Sequence, residues 1–566
     1  MKRLSFALLV FSLFALCASA FAADRAAIAS AHRLATDAGA QIIAEGGNVF
    51  DAAVTVSAVL SVVEPESSGL GGGGFWLLHN AADNRSVMVD GRETAPGQAH
   101  RDMYLDDSGE VVRDRAVNGA LAGGIPGLVA TWAHIVDNYG SLPLEKLLAP
   151  AIRLAEEGFP ADKKYHQLLK SRAEVMRRWP ETAAIFLPDD QVPEVGQTVR
   201  NPDLGKTLRA VAEGGAAGFY RGEVARKLVD GVRAAGGIWT LDDLADYRVV
   251  EREPVRLHYR GHELVTAPPP SSGGIAIGQI LQIVSAFDLA VMNATDRVHL
   301  LAEAMRRAYR DRSLYMGDPD FVEIPSSRLL SEDYAAGLRT TLRMDRAMPS
   351  SMLAADAGQV MEESSDTTHF SLIDASGNMV ATTQTVNLPF GSAFVPPGTG
   401  VLVNNEMDDF SAKPGEPNAY GLIGFAANAI EPGKRMLSSM SPTFVMGDER
   451  TAVIGTPGGS RIITMVLLGV LDFIDGNGPQ SWVSLPRFHH QYLPDEISAE
   501  PDALSDDVIG QLEERGHKIS VRNSTWGNMH GVMLDRTSGQ LEAASDPRWE
   551  SGGAVVIAKD ERAGSD

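Results

Sequence analysis

Cysteine is almost missing from this chain. Its 566 residues include one, Cys17, and that one lies in a stretch that reads as removable. Lys2 and Arg3 precede an apolar run from Leu4 to Leu16, and small residues allow cleavage after Ala20 or after Ala22. The run is short for a membrane span, and Leu16 is too bulky for a lipoprotein cleavage site before Cys17. Residues 1–22 are therefore expected to be a signal peptide. A mature chain without cysteine has no disulfide, no thiol nucleophile and no thiolate-bound metal. Export without disulfides points to a bacterial periplasm or to secretion. Positive charge is also scarce: 50 Lys and Arg stand against 73 Asp and Glu, a net charge of −23. Such a surface repels nucleic acid and anionic lipid, and its plainest effect is solubility. A Gly-x-Ser-x-Gly elbow is missing too, which weighs against a serine hydrolase of that type.

What is present is enough chain for two to four domains, or for two large pieces that fold together. Leu34, Ala38 and Ile42 fall on one side of a helix over 34–45, which Gly46-Gly47 ends. Asp51 to Val63 reads as a second, buried helix. The run Ser67-Ser68-Gly69-Leu70-Gly71-Gly72-Gly73-Gly74-Phe75 looks like a phosphate loop, but it lacks the Gly-Lys-Ser/Thr ending and follows no clear strand. Close backbone packing is the better reading. The middle of the chain is helix-rich, with Val298, Leu301, Ala302, Met305 and Ala308 forming an apolar stripe from about Thr295. Pro268 to Gly274 reads as a rigid loop. Residues 344–365 are polar and small, and read as an exposed, flexible segment.

At Thr367 the pattern changes to strands. Residues 368–373 alternate, Asp374 to Asn378 carry turn chemistry, and Met379 to Val386 give a returning strand. A hairpin that begins abruptly after a polar stretch places Thr367 at a point where the preceding chain could be removed. That matters chemically. A threonine hydroxyl needs a base, and an N-terminal threonine carries one in its own α-amine, whose pKa is roughly 7.7–8.0. Such an amine exists only after the preceding peptide bond is cut.

Thr-Thr-His alone is also what a plain β-strand contains; the combination of motifs decides. Asp366-Thr367-Thr368-His369-Phe370-Ser371 resembles the processing site of the gamma-glutamyltransferases. Asn404 to Ser411, Leu437 to Thr443, Gly455 to Arg461, Arg92 to Pro96, Gly69 to Phe75, Ala267 to Gly274 and Pro486 to His490 resemble further motifs of that family, in order, from about Ala29 to Pro547. The resemblance implies an α+β fold, the four-layer αββα sandwich of N-terminal-nucleophile hydrolases. It implies a cut between Asp366 and Thr367 into a large subunit, residues 23–366, and a small subunit, residues 367–566, which stay together as a heterodimer. By the same resemblance Thr367 is the nucleophile, Thr385 orients it, and Gly458 and Gly459 form the oxyanion hole. Arg92 clamps the substrate α-carboxylate with a bidentate fork, supported by Ser438 and Ser439. Asp409 pairs with the α-ammonium, with Asn387 and Glu406 beside it. Family members carry Glu or Gln at position 406, and either can accept from an ammonium. Residues 410–424 correspond to a loop that covers the site in many bacterial members.

The expected reaction passes a γ-glutamyl group from glutathione or a related donor, through an ester on Thr367, to water or to an amino acid or peptide acceptor. No cofactor and no metal are expected. The adjacent His489 and His490 point in different directions and lack a third ligand, and Asp318-Pro319-Asp320 reads as a loop. Two other functions compete. A glutaryl-cephalosporin-type acylase would share the scaffold, but glutaryl lacks the ammonium that Asp409 would pair. A non-catalytic periplasmic binder would not need Thr367, Thr385, Gly458 and Gly459 together.

Overall fold

The computed structural model describes residues 26–353 and 366–558. The expected signal peptide and residues 354–365 of the polar stretch lie outside the described residues. The strands that the first half of the chain gives to the two large sheets are β1 (Ala26–Ser30), β2 (Gly73–Asn80), β3 (Arg85–Gly91), β4 (Val250–Arg252), β5 (Val255–Tyr259) and β6 (His262–Thr266). In the second half they are β7 (Thr368–Asp374), β8 (Met379–Thr385), β9 (Thr443–Met446), β10 (Arg450–Gly455), β11 (His530–Asp535), β12 (Leu541–Ser545) and β13 (Gly553–Ile557). They form two antiparallel sheets, ordered β13-β1-β7-β8-β2-β3-β4 and β12-β11-β10-β9-β6-β5.

Strand alternation sorts side chains into two cores, because successive residues point to opposite faces. Ala26, Ile28, Trp76, Leu78, Phe370 and Leu372 face one way, into a core shared with helices α1 (Arg33–Ala44) and α2 (Val49–Val63). Ala27, Ala29, Phe75, Leu77, Ile373 and Ala381 face the other way and pack with Phe444, Val445, Ala452 and Val453 of the second sheet. That second core continues into helices α3 (Gly273–Val284), α4 (Ala294–Tyr315) and α5 (Ile462–Ile474). The result is the expected αββα sandwich. Hydrophobic alternation in residues 368–373 therefore separates two buried faces, not a buried face from a wet one.

Local expectations meet the structure closely at several points. Asn48 caps α2 in a reciprocal capping box with Asp51, and every residue of that helix is buried. Gly46 ends the preceding helix region with φ 90°. The β7–β8 hairpin turns at Gly377, also at φ 90°. The polar stretch is exposed at Asp345, Arg346, Pro349 and Ser351 as expected, but Ser350 within it is fully buried and bonds Arg306 and the Tyr492 carbonyl. A buried arginine needs its hydroxyl, which holds this end of the stretch against the core.

Both halves of the chain supply strands to both sheets. The β7–β8 hairpin sits at the centre of the first sheet, between β1 and β2. A cut before Thr367 would leave neither fragment with a complete sheet, so separation would expose both cores. No helix among the described residues is long and apolar enough to cross a membrane.

Candidate active site

Thr367 stands at the entrance to β7, and the glycine run explains how its surroundings come so close. Gly71 packs on the Leu402 backbone, Gly72 on the Thr385 carbonyl, and Gly74 on the backbone at Thr383; a Cβ at any of them would collide. Backbone packing, not phosphate binding, accounts for this segment. It presses the end of β8 against the chain that leads into the pocket.

The Thr367 hydroxyl donates to the Asp366 carbonyl oxygen and lies 3.3 Å from Thr385 Oγ1. Thr385 Oγ1 in turn accepts the Asn387 N–H at 2.7 Å. Thr367 is 4% exposed, so its hydroxyl meets water only through the pocket. The Thr367 N–H donates to Asp366 Oδ1 at 3.0 Å. Beneath Asp366 lies a chamber of buried charge. Ser67 Oγ donates to Asp366 Oδ1 at 2.8 Å, and Lys164 Nζ is 3.5 Å from the same oxygen. Lys164 also meets Glu64 at 2.5 Å and Glu66 at 3.9 Å. One buried ammonium thus faces three buried carboxylates. Burial pushes the Asp366 carboxyl up to about 6 and that of Glu66 well above its usual range. Burial pulls Lys164 down, but Asp366, Glu64 and Glu66 outweigh it and hold the ammonium charged.

A pocket of about 310 Å³ opens on the other side of Thr367. Arg92 follows β3; its N–H bonds Asp90 and its carbonyl accepts the Tyr247 hydroxyl. The guanidinium, 1% exposed, meets Glu406 at 2.5 Å, Asp409 at 2.5 Å and Glu93 at 3.8 Å. Glu406 to Asp409 form a short 3₁₀ turn. Asn404 anchors it through bonds to the Gly71 and Gly124 carbonyls and from the Glu406 N–H. Burial raises Glu93 to about 8, Glu406 well above its usual range, and Asp409 as well. Arg92 opposes each rise but cannot satisfy three carboxylates with one charge.

Of the expected residues, Arg92, Thr367, Thr385, Asn387, Glu406 and Asp409 line this pocket, as do Ser438, Ser439 and Gly459. Gly458 stands one residue behind it, at φ 141° where a Cβ would collide with Met465, and Gly459 has φ 54°. The residues from Phe410 to Gly424 fold over the pocket: the Tyr420 hydroxyl donates to the Asn387 carbonyl at 2.7 Å, and its ring covers Gly459. His489 bonds Thr464 and Gln491, and His490 faces Asp495. Asp318 accepts the backbone N–H groups of Arg435 and Asp320. Among the described residues no cluster of three or more His, Asp or Glu could hold a metal ion.

Three contributors escaped the sequence reading. Lys164 looks like half of a solvated Lys163-Lys164 pair. Arg312 sits in a charge-rich helix whose apolar stripe alone drew notice. Tyr420 sits in a Pro- and Gly-rich loop. A lone signal existed for Arg312: α4 carries charges on the sides flanking its stripe, yet it lies between motifs that belong to the core.

The gamma-glutamyltranspeptidase family model matches residues 35–556. The chain is 42% identical to the Escherichia coli (strain K12) glutathione hydrolase proenzyme over 93% of this chain and 91% of that one. It is 37% identical to the acylase ACY 1 proenzyme of Pseudomonas sp. (strain V22), over 94% and 93% of the two chains. Among solved structures, a cephalosporin acylase from Bacillus halodurans superposes with a TM-score of 0.82 at 29% identity, covering 94% of this chain and 96% of that one.

Proposed function

The chain belongs to the gamma-glutamyltranspeptidase family, and on that footing we propose that it is a self-cleaving γ-glutamyl hydrolase and transferase with Thr367 as its nucleophile. One observation carries the reading. The Thr367 hydroxyl touches the carbonyl of Asp366 on one side and opens on the other side into a pocket that ends in charges of both signs.

Maturation follows from that contact. Thr367 Oγ attacks the Asp366 carbonyl carbon, its proton passes to the departing nitrogen, and the amide becomes an ester. Water hydrolyses the ester, releasing the Asp366 α-carboxylate and leaving Thr367 with a free amine. In turnover that amine takes the proton of Oγ as the oxygen attacks the γ-carbonyl of a donor. Thr385, fixed by the Asn387 N–H, holds Oγ on line. Gly458 and Gly459 supply N–H groups to the tetrahedral oxyanion; their left-handed backbone leaves no side chain in the way. The proton returns to the leaving amine, and water or an acceptor amine resolves the γ-glutamyl ester.

The far end of the pocket sets the donor. Arg92, Ser438 and Ser439 meet the α-carboxylate; Asp409, with Glu406 and Asn387, meets the α-ammonium. Arg92 faces an excess of carboxylates, so an incoming ammonium finds a site already short of positive charge. Glutathione is the natural first donor. A glutaryl donor would bury these carboxylates without adding a second cation to the one Arg92 supplies. Residues 1–22 would direct the chain to the periplasm or the medium. The test is a comparison of γ-glutamyl-anilide with glutaryl-anilide: the account expects the γ-glutamyl donor to lead by at least about 100-fold in kcat/KM, the effect of one unpaired buried charge. Equal rates, or a glutaryl preference, would replace this reading with the acylase one.

A further inference from the structure

Arg312 lies in the last turn of α4, 5% exposed, and lines the same pocket. Among the described residues no carboxylate stands within ion-pair distance of it, unlike Arg92, Arg306, Arg307 and Arg487, which are equally buried and all paired. Its two observed partners are hydroxyls. Nε donates to Ser272 Oγ at 3.0 Å, and Nη2 donates to Ser439 Oγ at 3.3 Å.

A guanidinium only donates, so both serine oxygens must accept from it. Ser272 spends its own proton on the Ser438 carbonyl at 2.7 Å. Ser438 Oγ accepts the Met440 N–H at 3.1 Å. Ser438 and Ser439 each accept one bond from the protein, and neither hydroxyl proton is spent on a protein acceptor, so both can point into the pocket. Two O–H donors backed by a buried cation that no carboxylate touches, with Asp409 attracting it only at longer range, form a site for an anion. Arg92 alone does not complete that site, since Glu406 and Asp409 already hold both ends of its fork. The same helix also fixes the opposite wall, where the Tyr309 hydroxyl donates to the Ser460 carbonyl at 2.5 Å, next to Gly459.

We propose that Arg312 is a positioning and specificity residue for the donor α-carboxylate: it sets Ser439 as a donor and supplies counter-charge that Arg92 already shares among three acids. The proposal rests on the γ-glutamyl reading of the pocket. The experiment takes Arg312→Gln and Arg312→Lys, confirms by intact mass that each has matured, and measures KM and kcat on γ-glutamyl-anilide and on its α-carboxamide counterpart. The expected result for Arg312→Gln is a KM for the carboxylate donor raised by roughly 10–100-fold, within the range for loss of a charged hydrogen-bond partner. Its kcat stays within a few-fold, and its KM for the carboxamide donor is unchanged. Arg312→Lys recovers part of the loss, because it restores the charge without both bonds.

A mature Arg312→Gln enzyme whose two KM values rise together, or do not rise, overturns the proposal. Should Arg312→Gln fail to mature, Ser272→Ala decides, since it loosens Arg312 while keeping its charge. A lower preference for carboxylate over carboxamide supports the role, and an unchanged preference overturns it. A wild-type enzyme inactive on every γ-glutamyl donor would sink the functional reading instead. A wild-type enzyme that is active, with variants that leave the preference alone, would sink only the role of Arg312.

Discussion

Two buried charge clusters flank Thr367, and they have the same composition. On the pocket side Arg92 faces Glu93, Glu406 and Asp409. On the chamber side Lys164 faces Glu64, Glu66 and Asp366. One cation against three carboxylates stabilises neither region, because desolvation outweighs the attraction that a single partner returns. The difference lies in what each cluster awaits. The Arg92 cluster opens into the pocket, uses a planar fork that reaches two acids at once, and contains no bond to be broken. It can serve every turnover by receiving an ammonium. The Lys164 cluster lies away from that pocket, beside a second one that Lys164 lines, and includes Asp366, whose carbonyl is the proposed target of Thr367. On the proposed mechanism it would serve once, by holding Asp366 in line; a cut after Asp366 would add a fourth acid to the chamber, which would favour departure of that chain end.

The largest effect separates chemistry from both clusters. Thr367→Ala should leave an uncut, inactive chain with both charge clusters intact, seen as a single mass and no anilide release. Next comes the pocket cluster alone. Asp409→Asn should mature normally but lose roughly 10²–10³-fold in kcat/KM on γ-glutamyl-anilide, since removing one partner from a buried pair costs about 3–5 kcal/mol. Its glutaryl-anilide activity should fall far less, which steady-state kinetics on the two donors will show. The chamber cluster should respond in the opposite way. Lys164→Met should slow conversion to two fragments by about tenfold or more, as expected for loss of a charged contact to Asp366. The matured fraction should keep near-normal kcat/KM, and Lys164→Arg should restore processing. A time course on denaturing gels measures the rate. A Lys164→Met enzyme that matures on time but binds donors poorly would erase the distinction between the two regions.

The smallest effect concerns protons. Burial lifts Glu93 to about 8 and raises Glu406 and Asp409, so Glu93 sheds its proton as pH rises through 8 and the cluster gains negative charge. An ammonium binds the ionised form. The KM for a γ-glutamyl donor should therefore fall by a few-fold, roughly 3–10, from pH 6 to 8. A glutaryl donor, with no ammonium to bind, should show no such fall. KM profiles for both donors test the sign.

Much of this was legible in the residues. The abrupt change to alternation at Thr367, the turn from Asp374 to Asn378 and the glycine run over Gly71 to Gly74 each have a local cause, and each sits in the structure as that cause requires. The pocket residues came from motif resemblance, and their distances from the fold. Lys164 and Arg312 were not legible, because a charged side chain on a helix normally faces water. Only the packing of the Lys164 helix over the Asp366 chamber, and of α4 behind Ser438 and Ser439, buries them. Ser350 shows the same limit in reverse: a polar stretch reads as exposed until Arg306 claims its hydroxyl.

The central claim is that the chain acts through an N-terminal Thr367, and the intact mass of the purified protein under denaturing conditions tests it most directly. Two species are expected, one of them residues 367–566. A single full-length mass in a preparation that turns over γ-glutamyl-anilide would contradict it, because the amine that activates Thr367 would not exist.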